Sequence, residues 1–315
     1  MAQIVTLTIN PAVDKSTSVP NLIAEKKLNC DIPKYEPGGG GINVSRALKR
    51  LGSDSTAIFP ASGRTGERLQ ELLRAEGIEI EAVKTRNETR ENFTVVDSST
   101  NQQYRFGMPG PELSTAEASL FFSTIQNLSP QWLVLSGSLP PGISENFYAD
   151  IARKAKDRGA KIIVDTSGES LKQCVEEGAF LIKPNLGELS NLVGVESLDH
   201  QSVPDAAKEL IAKGKCEIIV VSLGAQGACL VTKDIVETIA TPTVKKLSTV
   251  GAGDSMVAGM VHVLSNGGNL HNMVRMGVAC GTAATMNPGT QLFKRADAEC
   301  LYEWLKRGNV GLAKG

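Results

Sequence analysis

Lys161-Ile162-Ile163-Val164-Asp165-Thr166, a helical run over 171–175, and Phe180-Leu181-Ile182-Lys183-Pro184-Asn185-Leu186-Gly187-Glu188 follow one another without a linker, and their order decides the fold. Residues 162–164 and 180–182 are short apolar runs, the composition of strands buried on both faces. The alternation continues outward, with strands expected at 132–135 and 218–221 and helices at 146–156 and 206–213. It predicts an α/β fold, a mainly parallel central sheet with helices on both faces. Ligands of such sheets bind beyond the carboxyl ends of the strands. Those ends carry Ser136-Gly137-Ser138, Asp165-Thr166, Lys183 to Glu188 and Ser222-Leu223-Gly224-Ala225-Gln226-Gly227, residue types that hold hydroxyls, magnesium-bound water and phosphates.

Towards the N-terminus, 4–9 is a β-branched run ended by Asn10-Pro11, a buried strand that delivers Asp14 in a loop. Residues 27–35 alternate Leu28, Cys30 and Ile32 with polar neighbours, which predicts a half-buried strand. Gly38-Gly39-Gly40-Gly41 then feeds a helix starting Ile42-Asn43-Val44, and a helix start so bare lets a ligand touch backbone. Taken alone, four glycines equally describe a flexible loop. Further on, 67–74 reads as helix, Ser114-x-x-Glu117 is a capping box opening another, and 93–96 with 104–106 reads as a hairpin. The pieces at about 16–35 and 88–107 leave the α/β rhythm. They predict a small antiparallel sheet, a lid, on a single domain spanning 1–315.

A chain of 315 residues can bury a sizeable core. Its formal charge is −1, and no basic stripe interleaved with aromatics marks a nucleic-acid binder. No run of roughly 18 apolar residues marks a membrane helix. Neither nucleic acid nor membrane is therefore an expected partner, and the leaderless N-terminus predicts a cytoplasmic location. Cys30, Cys174, Cys216, Cys229, Cys280 and Cys300 form no Cys-x-x-Cys pair and read as buried small hydrophobes in a reducing compartment. His200, His262 and His271 have no ligand-spaced partner, which argues against zinc or a histidine-dependent triad and predicts surface histidines.

The chemistry concentrates in Ser248-Thr249-Val250-Gly251-Ala252-Gly253-Asp254, which runs straight into an apolar helix at 255–261. Glycines flank Ala252 where a helix start leaves N–H groups unpaired and partly positive, a setting for an anion. Asp254 would repel that anion, so it has a second reading as an ordinary first-turn acid. Competing motifs fail: there is no G-x-x-x-x-G-K-[ST] loop, G-x-G-x-x-G breaks at Met256, and Gly137-Ser138 lacks the nucleophile elbow. An anion site with a carboxylate beside it, plus Glu188 near an Asn and a Lys, suits phosphoryl transfer to a hydroxyl.

These residues carry a family resemblance. Gly38-Gly39-Gly40-Gly41-Ile42-Asn43 and Thr249-Val250-Gly251-Ala252-Gly253-Asp254 resemble the two signatures of the ribokinase-like (PfkB) sugar kinases. Lys183-Pro184-Asn185-x-x-Glu188 resembles their magnesium-associated N-x-x-E motif. The resemblance covers about residues 3–307, and Thr6-Leu7-Thr8, Gln103-Tyr104-Arg105-Phe106 and Ser136-Gly137-Ser138-Leu139-Pro140-Pro141-Gly142 narrow it to the phosphofructokinase branch. It implies ATP-dependent phosphorylation of the C1 hydroxyl of fructose 6-phosphate, or of a related ketohexose phosphate. Asp254 is then the base, and the N–H groups of Gly251, Ala252 and Gly253 stabilise the transferred phosphoryl group. Asp14, Gly39 and Asn43, with Gly38 beside them, hold sugar hydroxyls; Lys27, Arg90, Arg105 and Ser138 take the sugar phosphate. Lys183, Asn185, Ser222, Gly224 and Gly227, with Ser248 and Val250 next to them, hold ATP, and Glu188 orders Mg2+ through water. A K+ loop would comprise Ser248, Val250, Ala284, Asn287 and Gly289, with Ser248 standing where many ribokinases carry Asp. Gly40 occupies a position where the 1-phosphofructokinase branch typically has Lys, which favours fructose 6-phosphate.

Other readings remain open at this point: a tagatose-6-phosphate kinase or 1-phosphofructokinase of the same family, a non-catalytic sugar-phosphate sensor, and a dehydrogenase. The sensor could lose the base, which is present, and the dehydrogenase needs a glycine fingerprint after the first strand, where residues 10–15 read Asn-Pro-Ala-Val-Asp-Lys. By strand parity Leu28, Cys30, Ile32, Phe93, Val95, Tyr104 and Phe106 share one face of the small sheet, opposite Lys27, Arg90 and Arg105. An apolar strip on so small a sheet predicts a twofold homodimer joined through the lids.

Overall fold

The computed structural model describes residues 3–307; residues 1–2 and 308–315, the ends of the expected 1–315 domain, lie outside the described residues. Nine strands form the main sheet in the order β13 (Val236–Ile239), β12 (Ala228–Val231), β11 (Cys216–Ser222), β10 (Ala179–Ile182), β9 (Lys161–Asp165), β8 (Trp132–Ser136), β1 (Ile4–Leu7), β4 (Thr56–Ala61) and β5 (Glu79–Lys84). Every pairing from β11 to β5 is parallel, while β12 and β13 add an antiparallel edge.

Two-residue periodicity along these strands separates two cores. Leu133, Leu135, Ile162, Val164, Ile219 and Val221 face one side, where α3 (Thr115–Leu128), α4 (Phe147–Lys156), α5 (Gly168–Glu177), α6 (Leu186–Val193) and α7 (Val203–Ala212) pack. Trp132, Val134, Ile163, Leu181, Ile218 and Val220 face the other, covered by α1 (Gly40–Leu51), α8 (Ala252–Ser265), α9 (Leu270–Thr285) and α10 (Arg295–Lys306). On that second side α2 (Gly63–Ala75) buries Leu69 and Leu73 against Ala57 and Phe59. Helices α8 and α9 touch backbone to backbone, since a Cβ added at Gly259 would lie 2.7 Å from Met276 O. That close packing fixes where α8 begins.

The start of α1 is pinned to the carboxyl end of β1. Ile42 N–H donates to Thr8 Oγ1 at 2.8 Å, and Gly39, the residue before the helix, holds φ 124, a conformation that side chains resist. Gly41 lies so close to β1 that an added Cβ would stand 2.7 Å from Leu7 O.

A second sheet has the order β3 (Lys34–Gly38), β2 (Ala12–Val19), β6 (Arg90–Asp97) and β7 (Gln102–Phe106). It corrects several expectations. Asp14 sits within strand β2, not in a loop, and β2 pairs parallel with β6 in a sheet expected to be antiparallel. The strand expected over 27–35 forms only from Lys34, directly after Pro33, which has no N–H to give the ladder, although Asp31 N–H still donates to Ser18 O at 3.0 Å. Leu28 therefore sits in an irregular stretch, with Cys30 and Ile32 exposed. Cys30 and Cys300 are exposed, whereas Cys174, Cys216, Cys229 and Cys280 are buried as expected. His262 is half-buried, its Nδ1 2.8 Å from Ser53 Oγ, in contrast to the exposed His200 and His271.

Gly41→Ala should push α1 off β1 and cost about 1–3 kcal/mol, as overpacking does. The change would be read as a lower urea midpoint, and an unchanged midpoint would show that the Leu7 carbonyl can yield.

Candidate active site

Asp254 lies in the first turn of α8, behind Gly251, whose φ of 71 a side chain would strain. Its carboxylate does not cap the helix. Oδ2 instead accepts from Asn43 Nδ2 at 2.9 Å, from a residue 211 positions away at the start of α1. Burial, reinforced by the negative charge of Asp165, pushes the Asp254 carboxyl up to about 7, and Asn43 and Lys183 only partly offset this. The carboxylate is thus poised near neutrality beside a glycine-lined helix start, the tuning expected of a proton acceptor.

The cation nearest this group is Lys183, at the carboxyl end of β10. Its Nζ pairs with Asp165 Oδ1 at 3.0 Å, and both side chains are largely buried. Burial alone would lower the Lys183 pKa; Asp165, Glu188 and Asp254 outweigh it and raise it. Asp165 was visible in the sequence only as one of several polar residues at strand ends, and the structure brings it into the centre of the cluster. Glu188 Oε2 accepts the Asn185 N–H at 2.8 Å while Asn185 Oδ1 accepts the Glu188 N–H at 2.9 Å, a reciprocal capping box. Glu188 is therefore a helix-start acid by geometry, with its other oxygen left over; burial raises its pKa, and Lys183 opposes this. Three carboxylates around one ammonium leave negative charge uncompensated, which suits a hard cation that keeps much of its water. Among the described residues no three His, Cys, Asp or Glu side chains converge as a metal cage.

Two clefts adjoin the Thr249–Gly253 turn. One, of about 900 Å³, is lined by Asn185, Ser222, Gly224, Gly227, Gly253 and Thr282 among others. A Cβ added at Gly253 would lie 3.5 Å from Lys183 Nζ, so the ammonium faces the glycine turn. The other cleft, of about 640 Å³, lies under the small sheet and is lined by Asp14, Asn92, Thr94, Arg105, Val250 and Gly289 among others. On β6 and β7 Thr94 pairs with Arg105 and Phe93 with Phe106, so the two pairs take opposite faces, and Phe93 and Phe106 also border this cleft. Lys27, Leu28, Cys30 and Ile32 lie outside the sheet, so the parity expected of them is not realised.

Other expected substrate residues are placed unevenly. Asp14 Oδ1 accepts from Asn92 Nδ2 at 2.9 Å, and burial raises its pKa against Asn92 and Arg90. Asn92, two positions from Arg90, escaped the sequence reading, although parity alone puts it on the cleft face. Arg90 donates to the carbonyls of Asn10 at 2.9 Å, Pro11 at 3.3 Å and Met108 at 2.7 Å, which leaves two of its N–H donors. Ser138 accepts from Asn10 Nδ2 at 3.2 Å. Gly38 lies against Asp14, where an added Cβ would strike the carboxylate at 2.5 Å, and Gly39 lies against Thr8; neither glycine is in the lining of the cleft under the small sheet. Lys27 is exposed in the irregular stretch before β3 and is absent from the lining of either cleft.

The two halves of the expected potassium loop do meet. Ser248 Oγ donates to Gly289 O at 2.7 Å and accepts from Val250 N at 3.2 Å, and Ser248 N–H donates to Thr285 O next to Ala284 at 3.3 Å. Asn287 folds back onto Ala283 O at 3.1 Å.

The chain is similar over nearly its whole length to known proteins. The model of the pfkB family of carbohydrate kinases matches residues 5–296. ATP-dependent 6-phosphofructokinase isozyme 2 of Escherichia coli (strain K12) is 44% identical over 98% of this chain and 100% of its own length. The crystal structure of phosphofructokinase-2 from Escherichia coli with fructose 6-phosphate superposes with a TM-score of 0.92 at 41% identity, covering 98% of this chain and 100% of that one. The potassium complex of that protein gives 0.94 at 43% identity over the same shares, and its tetrameric inhibited form 0.91 at 42%, again over 98% and 100%.

The buried acid makes stability depend on pH. With a folded value of about 7 against an ordinary 3.8, Asp254 keeps its proton in the native state where the unfolded chain has lost it. Its stabilising contribution is full below about 3.8 and is lost as pH rises through about 7. Asp254→Asn, which mimics the neutral acid, should therefore unfold at higher urea than the unmutated protein at pH about 8, and the gap should close towards pH about 4. Equal midpoints at the higher pH would contradict a buried, raised carboxyl.

Proposed function

The chain belongs to the pfkB family of carbohydrate kinases, and from that premise we propose that it transfers the γ-phosphoryl group of ATP to the C1 hydroxyl of fructose 6-phosphate. The observation that carries the proposal is Asp254, a carboxyl raised to about 7 at a glycine-rich helix start whose turn borders two clefts. The sugar enters under the small sheet, with Asp14, Asn43 and the Gly38–Gly39 backbone at its hydroxyls and Arg105, Ser138 and the two spare donors of Arg90 at its phosphate. Asp254 accepts the proton of the attacking hydroxyl. Backbone N–H groups of Gly251, Ala252 and Gly253 and the Lys183 ammonium meet the charge that develops on the phosphoryl group.

The nucleotide occupies the other cleft, held by Asn185, Ser222, Gly224 and Gly227. Magnesium, when bound, neutralises phosphate charge; Glu188 and Asp165 are the carboxylates placed to order its water. Ser248, Val250, Ala284, Asn287 and Gly289 make up the potassium site, supported by the potassium complex of the Escherichia coli relative. A Cβ added at Gly40 would lie 2.3 Å from Ser136 Oγ, so this position has no room for the longer side chain of the 1-phosphofructokinase branch. That favours fructose 6-phosphate over the 1-phosphate.

The small sheet serves as the lid, and its outer face carries the homodimer contact. Phe93 and Phe106 stack there at 6.3 Å between ring centroids, and Tyr104, Phe106 and Met108 stay 38%, 47% and 46% exposed. So much exposed apolar area on a four-stranded sheet suits a second copy. Among the described residues no helix is long and apolar enough to cross a membrane, and a cytoplasmic glycolytic role accords with the substrate.

With ATP, magnesium and a panel of sugar phosphates, ADP release should be fastest with fructose 6-phosphate; no release with any of them would overturn the proposal. Asp254→Asn should cut turnover by about a hundredfold or more while sugar affinity holds. Sedimentation of Phe93→Asp with Phe106→Asp should give monomers with weakened sugar affinity, and an unmutated protein that is monomeric at micromolar concentration would remove the lid contact.

A further inference from the structure

Arg46 is 2% exposed and sits on α1 three positions after Asn43. Its guanidinium makes a closed set of contacts. Nη1 donates to Asn43 Oδ1 at 3.2 Å and to Pro37 O at 3.0 Å. Nε and Nη2 grip the Glu76 carboxylate at 2.8 to 3.0 Å. Asn43 in turn is the one side chain that donates to the Asp254 carboxylate among the described residues.

An asparagine amide has nearly the same shape after a half-turn, but its two ends differ in chemistry. With the carbonyl toward Asp254, two oxygens would face each other inside the protein and the base would lose its only side-chain donor. Arginine can only donate, so its contact with Asn43 Oδ1 admits a single orientation of the amide. Glu76 and the Pro37 carbonyl hold the planar guanidinium in place, which a lysine at the same position could not reproduce.

We propose that Arg46 is a positioning residue for the phosphoryl-transfer base: it locks the Asn43 amide with its NH2 toward Asp254 and so holds one carboxylate oxygen still. The inference rests on the assignment of Asp254 as base. It gives Arg46 a role in turnover that its burial and its ion pair do not by themselves require.

A double-mutant cycle on the full chain separates the two. Arg46→Lys should lower kcat with fructose 6-phosphate by about tenfold, since small misplacements of a reacting group carry losses of that order, and leave the KM for ATP within about twofold. In the Asn43→Ala background the same substitution should change kcat by less than about twofold, because the amide through which Arg46 acts is gone. A tenfold loss that persists in that background, or a KM for ATP that rises in step with the loss of kcat, overturns the proposal. Should Arg46→Lys fail to fold, Glu76→Gln removes one anchor of the guanidinium and should give a smaller fall in kcat that likewise vanishes with Asn43→Ala; persistence there overturns it equally. An unmutated protein without kinase activity would reject the base assignment itself, whereas an active enzyme with independent effects rejects only the role of Arg46.

Discussion

One hydrogen bond, from Asn43 Nδ2 to Asp254 Oδ2 at 2.9 Å, joins the beginnings of two helices 211 residues apart. The glycines of the two helix starts answer different constraints: Gly41 lies against the backbone of β1, and Gly251 holds φ 71. Burying a carboxylate there is unfavourable, and a single amide donor does not remove that cost. The rest of the large sheet supplies the rigidity that holds the two helices together in spite of it. Helix α1 is hydrogen-bonded to Thr8 and packed on the second core, and α8 is locked against α9 through Gly259 and Gly277.

Around that bond the electrostatics are lopsided. Asp165, Glu188 and Asp254 share the Lys183 ammonium, and Asp254 and Glu188 are pushed towards their neutral forms by burial. A site so arranged favours a hard cation. Burial of Asp254 is thus both a liability to the folded state and the source of a carboxyl that titrates near neutrality.

The small sheet meets this centre through polar contacts at two ends. Arg90 ties β6 to the carbonyls of Asn10 and Pro11, next to β2, and Thr290 Oγ1 donates to Glu36 Oε2 at 2.6 Å, linking β3 to the turn after α9. The turn that carries Gly289 and the sheet that carries Asp14 therefore share a wall of one cleft. Val13 of β2 and Tyr35 of β3 add an apolar anchor, packed with Ile42, Phe59 and Leu69.

The main architecture was legible because it is local. Strands β8, β9, β10 and β11 announce themselves by apolar runs, and the helices between them by their spacing, so the layers and the carboxyl-end site follow from periodicity. The capping box at Asn185 and Glu188 is equally a matter of a three-residue spacing. Strand β2 was hidden because Asp14, Lys15, Ser16 and Ser18 weaken its pattern, and its identity depends on pairing with β6, far along the chain. Residues 27–35 show the converse, an alternating pattern that becomes strand only after Pro33, where the ladder has its N–H donors. The sequence by itself determined the elements and the residue types at the site, since propensity and periodicity act over a few residues. Only the tertiary structure decided that Asp165 meets Lys183, that Arg46 donates to Asn43, that Arg90 spends most of its donors on carbonyls, and that burial pushes Asp254 up to about 7. Burial and long-range charge, which set those outcomes, exist only once distant segments have packed.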